Sequence, residues 1–487
     1  MTGRLLKRAM RRRSLGATLN PAADEIPRFN RLVYASHSFG SSVLSRTTQA
    51  WLIFFYAPPA GEDAPTIVPR ITLTTILLVL GVLDAIDDPL IGYWSDRTRS
   101  RWGRRIPLIV LATPFYALFF FLFWTPPGGG GYLLPAVYFT FMVFLQRIAG
   151  TLSGGPMEAL LPEVARTPPA RVSNVAWQFV FGSLGAVVGL VATGVIKDLY
   201  GFVAMAAIVA VVAAASRYIG LFGVWRYVRK DVKPARISIR ESFRQVFRND
   251  QFLYFLPTFV FFNMAIMLLT ATLPFYADVV VLGDQETLDI SLFGRSMSLG
   301  EGGVSSVLFA TTILAVLVAL PFIYRLALWR GKAWVYSAAM FVGVFTFPSL
   351  FFMGFVPGIH PLIQSLVFVA LAGSPMVGVF TFPNAILADI IDYDSVRTGM
   401  RREALYYGAQ NVIEKWTGSL MFPIFGVLLL FGETVDNPLG IRLMGPVAGV
   451  ASLAGFLFFR GYRLPDSVNA ESVQFLAGPA SPPARQN

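Results

Sequence analysis

The segment Ile106–Gln146, with the sequence IPLIVLATPFYALFFFLFWTPPGGGGYLLPAVYFTFMVFLQ, contains no charged residue. Its apolar residues form two runs separated only by Thr125–Gly131, in which two prolines and four glycines follow the threonine. A helix of about 20 apolar residues crosses the hydrocarbon core of a bilayer, and backbone groups in lipid must hydrogen-bond within their own segment. The segment therefore predicts two transmembrane helices joined by a tight turn outside the membrane.

Ten further apolar runs of similar length flank this pair. The twelve predicted spans are residues 32–56, 71–94, 106–125, 132–154, 173–196, 202–225, 253–276, 303–325, 334–356, 361–386, 403–431 and 438–460. The loops between them are short and leave no room for a separate soluble domain. The predicted fold class is an all-α polytopic membrane protein with twelve transmembrane helices.

A long polar connection, residues 226–252, follows the sixth run and divides the chain into six plus six helices. It predicts an N-terminal six-helix bundle over residues 32–225 and a C-terminal six-helix bundle over residues 253–460. Residues 1–31 are predicted to be a basic cytoplasmic tail and residues 461–487 a second cytoplasmic tail. Within the connection, apolar residues at helical spacing predict an amphipathic helix at the membrane surface; the alternative is a solvated linker helix.

The composition excludes several classes of protein. Of the 487 residues, 55% are hydrophobic and 14% are charged, whereas soluble domains are about 45–50% apolar and about 25% charged. A water-soluble enzyme and a disordered chain are excluded, and the absence of cysteine excludes a disulfide scaffold. No nucleophile–base pair, phosphate-binding loop or metal cluster stands out, so we predict a non-enzyme without cofactor or resident metal.

The net charge of +12 reflects topology. Lys and Arg are concentrated in the N-terminal tail and in alternate loops, among them residues 97–105, 226–248 and 397–402. Such loops lie on the cytoplasmic side of a membrane, so both termini are predicted to be cytoplasmic, in a plasma membrane or bacterial inner membrane. The same residues would contact anionic lipid headgroups, and nucleic acid is not a predicted partner.

Two carboxylates in the second span give the main functional signal. Asp84 and Asp88 are four residues apart and share one helix face. Carboxylates this close in a low-dielectric environment repel each other unless a cation lies between them or one is protonated. We therefore predict a site for Na⁺, Li⁺ or H⁺. The alternative is that the two carboxylates pair with basic residues as structural contacts.

Two arginines lie inside predicted spans, Arg46 in the first and Arg147 in the fourth. An arginine keeps its charge and needs an anionic partner or water. If both face a central cavity, they suit an acidic group on a substrate; the alternative is pairing with the span-two aspartates or with Glu158. His37 is predicted to be a packing residue, and Arg217 is predicted to extend toward the cytoplasmic interface.

The eleventh span contains Gln410, Asn411 and Lys415. A lysine near carboxylates in the membrane can act as a counter-ion for the coupling site. The two amides could contact substrate hydroxyls or coordinate a cation, or they could be helix-interface amides.

The loop after the second span combines Asp96 and Arg97 with Arg104. These residues could form a cytoplasmic charge latch that a rocking transporter breaks and remakes. A simple positive-inside anchor is the alternative.

Four segments together resemble a known family. They are Asp84–Arg105 (DAIDDPLIGYWSDRTRSRWGRR), Pro156–Glu163 (PMEALLPE), Ala388–Asp394 (ADIIDYD) with Thr398–Glu403 after it, and the lysine Lys415. The chain resembles the melibiose permease-like family of glycoside–pentoside–hexuronide:cation symporters, within the major facilitator superfamily. The resemblance extends over nearly the whole chain.

The resemblance implies two six-helix bundles, alternating access and uptake coupled to Na⁺ or H⁺. It assigns cation binding to Asp84 and Asp88 and the nearby basic residue to Lys415. Two sugar-binding carboxylates of the family fall on Ser42 and Gly154 here. The expected substrate is therefore a sugar or a sugar acid such as a uronide, carried by a monomer, and the alternative is a lysolipid or other anionic amphiphile.

Overall fold

The computed structural model describes residues 26–59, 66–97, 105–129, 131–165, 168–227, 246–292, 295–398 and 403–465. Helices account for most of these residues. In chain order they are α1 (Arg28–Ala35), α2 (His37–Tyr56), α3 (Arg70–Arg97), α4 (Ile106–Phe123), α5 (Leu133–Ala159), α6 (Leu161–Val164), α7 (Pro168–Val187), α8 (Thr193–Val224), α9 (Asp250–Phe275), α10 (Glu301–Arg330), α11 (Lys332–Thr346), α12 (Pro361–Thr381), α13 (Pro383–Thr398), α14 (Glu403–Leu429) and α15 (Leu439–Phe459).

Helical segments occupy each of the predicted apolar runs. Within the described residues, nine helical stretches are long and apolar enough to cross a membrane. One of them, Ser173–Tyr227, contains two predicted spans, which are separated where Gly201 adopts a φ of 79°. The mostly helical, membrane-spanning fold is therefore confirmed, whereas the count of twelve spans stays a prediction.

One short hairpin departs from the all-α prediction. Strand β1 (Leu288–Leu292) pairs antiparallel with β2 (Arg295–Leu299) in the connection before α10. In β1 the apolar residues Leu288, Ile290 and Leu292 alternate with polar ones, the period of a strand. The predicted loop between the seventh and eighth spans therefore contains a short hairpin.

Helices pack within each half of the sequence, and the two halves contact each other along three lines. In the N-terminal half, α2 packs on α7 and α8, and α4 packs on α5; in the C-terminal half, α9 packs on α15, and α10 packs on α12. The halves touch where α2 meets α9, α3 meets α14 and α8 meets α10. Division into two bundles at residues 226–252 is consistent with this packing and stays a prediction, because residues 228–245 with most of the proposed amphipathic helix lie outside the described part.

Small residues allow α3 and α14 to approach closely. A Cβ added at Gly81 would collide with the side chain of Ser419, and one added at Gly426 would lie 2.7 Å from Oγ1 of Thr74. Interfaces between membrane helices are enriched in such residues because close backbones gain van der Waals contact. The two pairs fix an antiparallel register that brings the inner half of α3 to α14.

Candidate functional site

Asp84 lies on α3 between basic residues from two other helices. Its Oδ2 is 3.7 Å from Nη1 of Arg147 on α5 and 3.9 Å from Nζ of Lys415 on α14. Its side chain is only 16% exposed. Both distances are those of ion pairs and are longer than direct hydrogen bonds. The structure thus places three of the predicted residues together where the two halves meet.

The pairing alternative for Arg147 is what the structure shows. Arg147 and Lys415 also interact with further groups. Asp88 lies one turn further along α3, where its side chain falls outside the described part. Its role as a cation ligand stays a prediction.

The antiparallel register of α3 and α14 places the backbones of two further predicted residues, Asp88 and Asn411, at the same level. Continuing from the Asp84–Lys415 pair by one turn brings the backbone of Asp88 level with that of Asn411, because a turn contains about 3.6 residues. The side chain of Asn411 also lies outside the described part. Its neighbour Gln410 is buried, and its Oε1 has no hydrogen-bond donor among the described residues.

Arg46 faces the other half of the protein. Its Nη1 donates a 2.7 Å hydrogen bond to Oε1 of Gln49, one turn along α2. Glu414 on α14 interacts with it electrostatically. Glu158, which the sequence offered as a partner, contacts His37 instead. Arg46 therefore lies at the junction of the halves, with its binding of substrate still a prediction.

Most of the predicted cytoplasmic latch lies outside the residues and side chains that the structure describes. Asp96 and Arg97 end α3, but their side chains are not described, and Arg104 lies outside the described residues altogether. At the same end, Lys332 pairs with Asp389 and Arg397 with Asp250, all within the C-terminal half. The latch prediction stays open.

The opposite end of the molecule carries a charged contact that the sequence did not reveal. Lys197 on α8 pairs with Glu301 on α10 and lies 3.2 Å from Asp198. The Asp198 carboxylate accepts hydrogen bonds of 3.0 and 2.6 Å from the backbone N–H groups of Gly302 and Gly303. A carboxylate is favoured at a helix N-terminus. We call these five residues the α8–α10 latch.

A second contact closes the same end. Arg70, at the start of α3, pairs with Glu433 after α14. Its Nη2 also donates to the carbonyl oxygens of Ala57 and Pro58, at 2.9 and 2.8 Å. The charge pattern predicts this end to be external. The two halves are thus joined by charged contacts at the predicted external end.

Arg217 departs from its prediction. It is 5% exposed and does not extend to the interface. Its guanidinium donates to Oγ of Ser153 and, over 3.3 Å, to Oγ of Ser41. It also lies 4.4 Å from the ring centroid of Tyr116, a cation–π contact. The position of Arg217 relative to the end of the sixth span does not predict these contacts, because the three partner residues lie on three other helices.

The described helices thus form a membrane-type bundle whose halves meet around partly buried charges. Residues 33–440 match the family model described as MFS/sugar transport protein. The chain therefore belongs to this family of the major facilitator superfamily. Its membership confirms the predicted family and, apart from the number of spans, the predicted fold class; the family is one of transport proteins and not of enzymes.

Named relatives support the same class. The chain is 26% identical over 231 residues to the inner membrane symporter YicJ of Escherichia coli, covering 45% of this chain and 48% of YicJ. It is 23% identical over 417 residues to the lactose permease of Lactobacillus delbrueckii subsp. bulgaricus, covering 80% of this chain and 61% of the permease. The chain thus spans less than two thirds of either relative's length. Neither is named as a lipid carrier, so the lysolipid alternative gains no support from them.

A solved structure shows the same fold. The crystal structure of a POT family transporter in complex with 5-aminolevulinic acid superposes with a TM-score of 0.63 at 13% identity. The superposition covers 88% of this chain and 95% of that one.

Proposed function

We propose that the protein is a cation-coupled symporter of a sugar or sugar acid that works by alternating access. It would lie in the plasma membrane, or the inner membrane of a bacterium, as a monomer with both termini in the cytoplasm. The observation that carries the proposal is Asp84, held between Arg147 of the N-terminal half and Lys415 of the C-terminal half. The names of the sugar permease and symporter relatives support it.

The geometry around Asp84 suggests how a cation would couple to movement. A Na⁺ or H⁺ arriving at Asp84, with Asp88 as the expected second ligand, would compete with Lys415 for the same carboxylate. Weakening the Asp84–Lys415 pair removes an attraction between α3 and α14 along one line of contact between the halves. If cation binding strengthens substrate binding, substrate must strengthen cation binding by the same factor.

Unpaired amides suit a substrate with many hydroxyl groups. Among the described residues, buried amide atoms without a hydrogen-bond partner occur on Gln49, Asn174, Gln178, Asn263 and Gln410. A buried polar atom without a partner costs about 1–3 kcal/mol, and a conformation that opens onto one of these amides would let a substrate hydroxyl group bind to it. Arg46 could pair with the carboxylate of a sugar acid.

The direct test is uptake into proteoliposomes by the variant Asp84→Asn. A panel of labelled disaccharides, pentosides and hexuronates would be screened with and without gradients of Na⁺ and H⁺. We expect the wild type to accumulate one class of sugar, and Asp84→Asn to lose accumulation but retain exchange of internal for external sugar. Asp284→Asn, the same change in an exposed loop, is the matched control. Full gradient-driven accumulation by Asp84→Asn would contradict the proposal.

A further inference from the structure

Both ring nitrogens of His37 face oxygen atoms. Nδ1 lies 2.6 Å from the carbonyl oxygen of Tyr34, and Nε2 lies 3.1 Å from Oε1 of Glu158 on α5. A carbonyl oxygen can only accept, so Nδ1 carries a hydrogen. A neutral imidazole has one N–H, and it would then present a lone pair to the Glu158 oxygen.

The second contact therefore requires a proton between Nε2 and the carboxylate. If that proton is lost, two acceptors face each other, and the contact between α2 and α5 becomes repulsive. The surroundings decide which partner carries the charge. Glu158 is 65% exposed, and Arg217 interacts with it electrostatically. Water and a nearby cation both favour the ionised carboxylate, so a proton bound between the two groups would be carried by Nε2 of His37.

The environment of the pair fixes its geometry. His37 is 2% exposed, and Gly220 of α8 packs so closely that an added Cβ would lie 2.9 Å from the His37 Cβ. Among the described residues, the titratable groups around the pair include Tyr34, whose hydroxyl donates to the Met157 carbonyl, Arg217 on α8, and Arg105 before α4, whose guanidinium donates to the carbonyl oxygen of Ala159, next to Glu158. Tyr116 on α4 lies beneath Arg217.

We propose that His37 and Glu158 form a proton-binding site, separate from Asp84, that holds α2 against α5 while its proton is bound. The exposed carboxylate gives the proton a path to water, at the end of α5 that the charge pattern predicts to be cytoplasmic. Within the proposed symport function, on which this role rests, release of the proton would loosen the N-terminal half and make transport depend on cytoplasmic pH.

Nitrogen-15 NMR of histidine-labelled protein tests the site without requiring transport. The chain has two histidines, and His360→Asn assigns their signals. At about pH 6 we expect both nitrogens of His37 to be protonated, and raising the pH toward about 8 should remove the proton from Nε2. In Glu158→Gln, Nε2 should lose its proton at a lower pH than in the wild type. A deprotonated Nε2 in the wild type at about pH 6 would overturn the site, whatever the transport result.

A transport assay separates the site from its role. His37→Gln can still donate an amide N–H to Glu158, but it cannot titrate. We expect its uptake to vary less with internal pH than wild-type uptake does. An unchanged pH profile, alongside a protonated His37 by NMR, would overturn the coupling role and leave the proton site standing. Absence of uptake by the wild type would count against the symport function, and the NMR result would still decide the site.

Discussion

At the scale of single residues, Lys415 and the coupling cation would be competitors for Asp84. Opposite charges about 4 Å apart attract by about 1 kcal/mol in water and about 4 kcal/mol at an effective dielectric constant near 20. Asp84 and Lys415, 3.9 Å apart with side chains 16% and 35% exposed, lie between these limits. Lys415 therefore sets how much binding free energy a cation must supply to displace it.

Replacing Lys415 with Gln should raise the apparent affinity for the coupling cation at least about fivefold, which corresponds to about 1 kcal/mol. The measurement is the Na⁺ concentration or pH that gives half-maximal stabilisation of the purified protein against heat. Lys415→Arg keeps the positive charge and should stay close to the wild type. Equal or weaker cation affinity in Lys415→Gln would show that the lysine does not compete at Asp84.

Residue identities alone allowed only part of the site to be predicted. Asp84 and Lys415 could be chosen because a charge within an apolar run is expensive and needs a role. The pairing of Lys197 with Glu301 could not be predicted, because the residues are 104 positions apart and both are near span ends, where charges are ordinary. The contact of His37 with Glu158 could not be predicted either, since only the fold brings that carboxylate to the second nitrogen of His37.

At the scale of elements, hydropathy is sufficient where a helix must satisfy its own backbone in lipid. α4 begins at Ile106 as expected, and the turn after it separates α4 from α5. Hydropathy makes no prediction for segments outside the membrane, such as the hairpin of β1 and β2. It also cannot predict which helices touch, because lipid-facing and helix-facing surfaces are both apolar.

The contact of α3 with α14 can be tested with one substitution at two positions of α14. Gly426→Val places a side chain against Thr74, where an added Cβ lies 2.7 Å from Oγ1, whereas an added Cβ at Gly408 has no atom within 4 Å. Overpacking of this kind costs about 1–3 kcal/mol. We expect Gly426→Val to lower the midpoint of thermal unfolding and reduce uptake, with Gly408→Val close to wild type. Equal midpoints for the two variants would show that the helices separate freely at Gly426.

At the scale of the whole molecule, alternating access requires the predicted external end to open. The described contacts there join the halves through the α8–α10 latch and the Arg70–Glu433 pair. Asp198 both balances Lys197 and accepts two backbone N–H groups of α10. Opening would expose these N–H groups to water at once, so the cost of opening is moderated by solvent and the latch can be reversible.

A reversible covalent lock tests whether that end must open during transport. The chain has no cysteine, so Asp198→Cys combined with Gly300→Cys introduces the only two thiols. A Cβ built at Gly300 lies 3.3 Å from Cγ of Asp198, where the sulfur of a cysteine at 198 would lie, and this spacing suits a disulfide. We expect oxidation to abolish uptake by the double variant and a reductant to restore it. Uptake by each single-cysteine variant should not change with either treatment. Uptake that continues after mass spectrometry has shown a complete cross-link would mean that α8 and α10 stay together throughout the cycle, and the opening would have to be sought elsewhere between the halves.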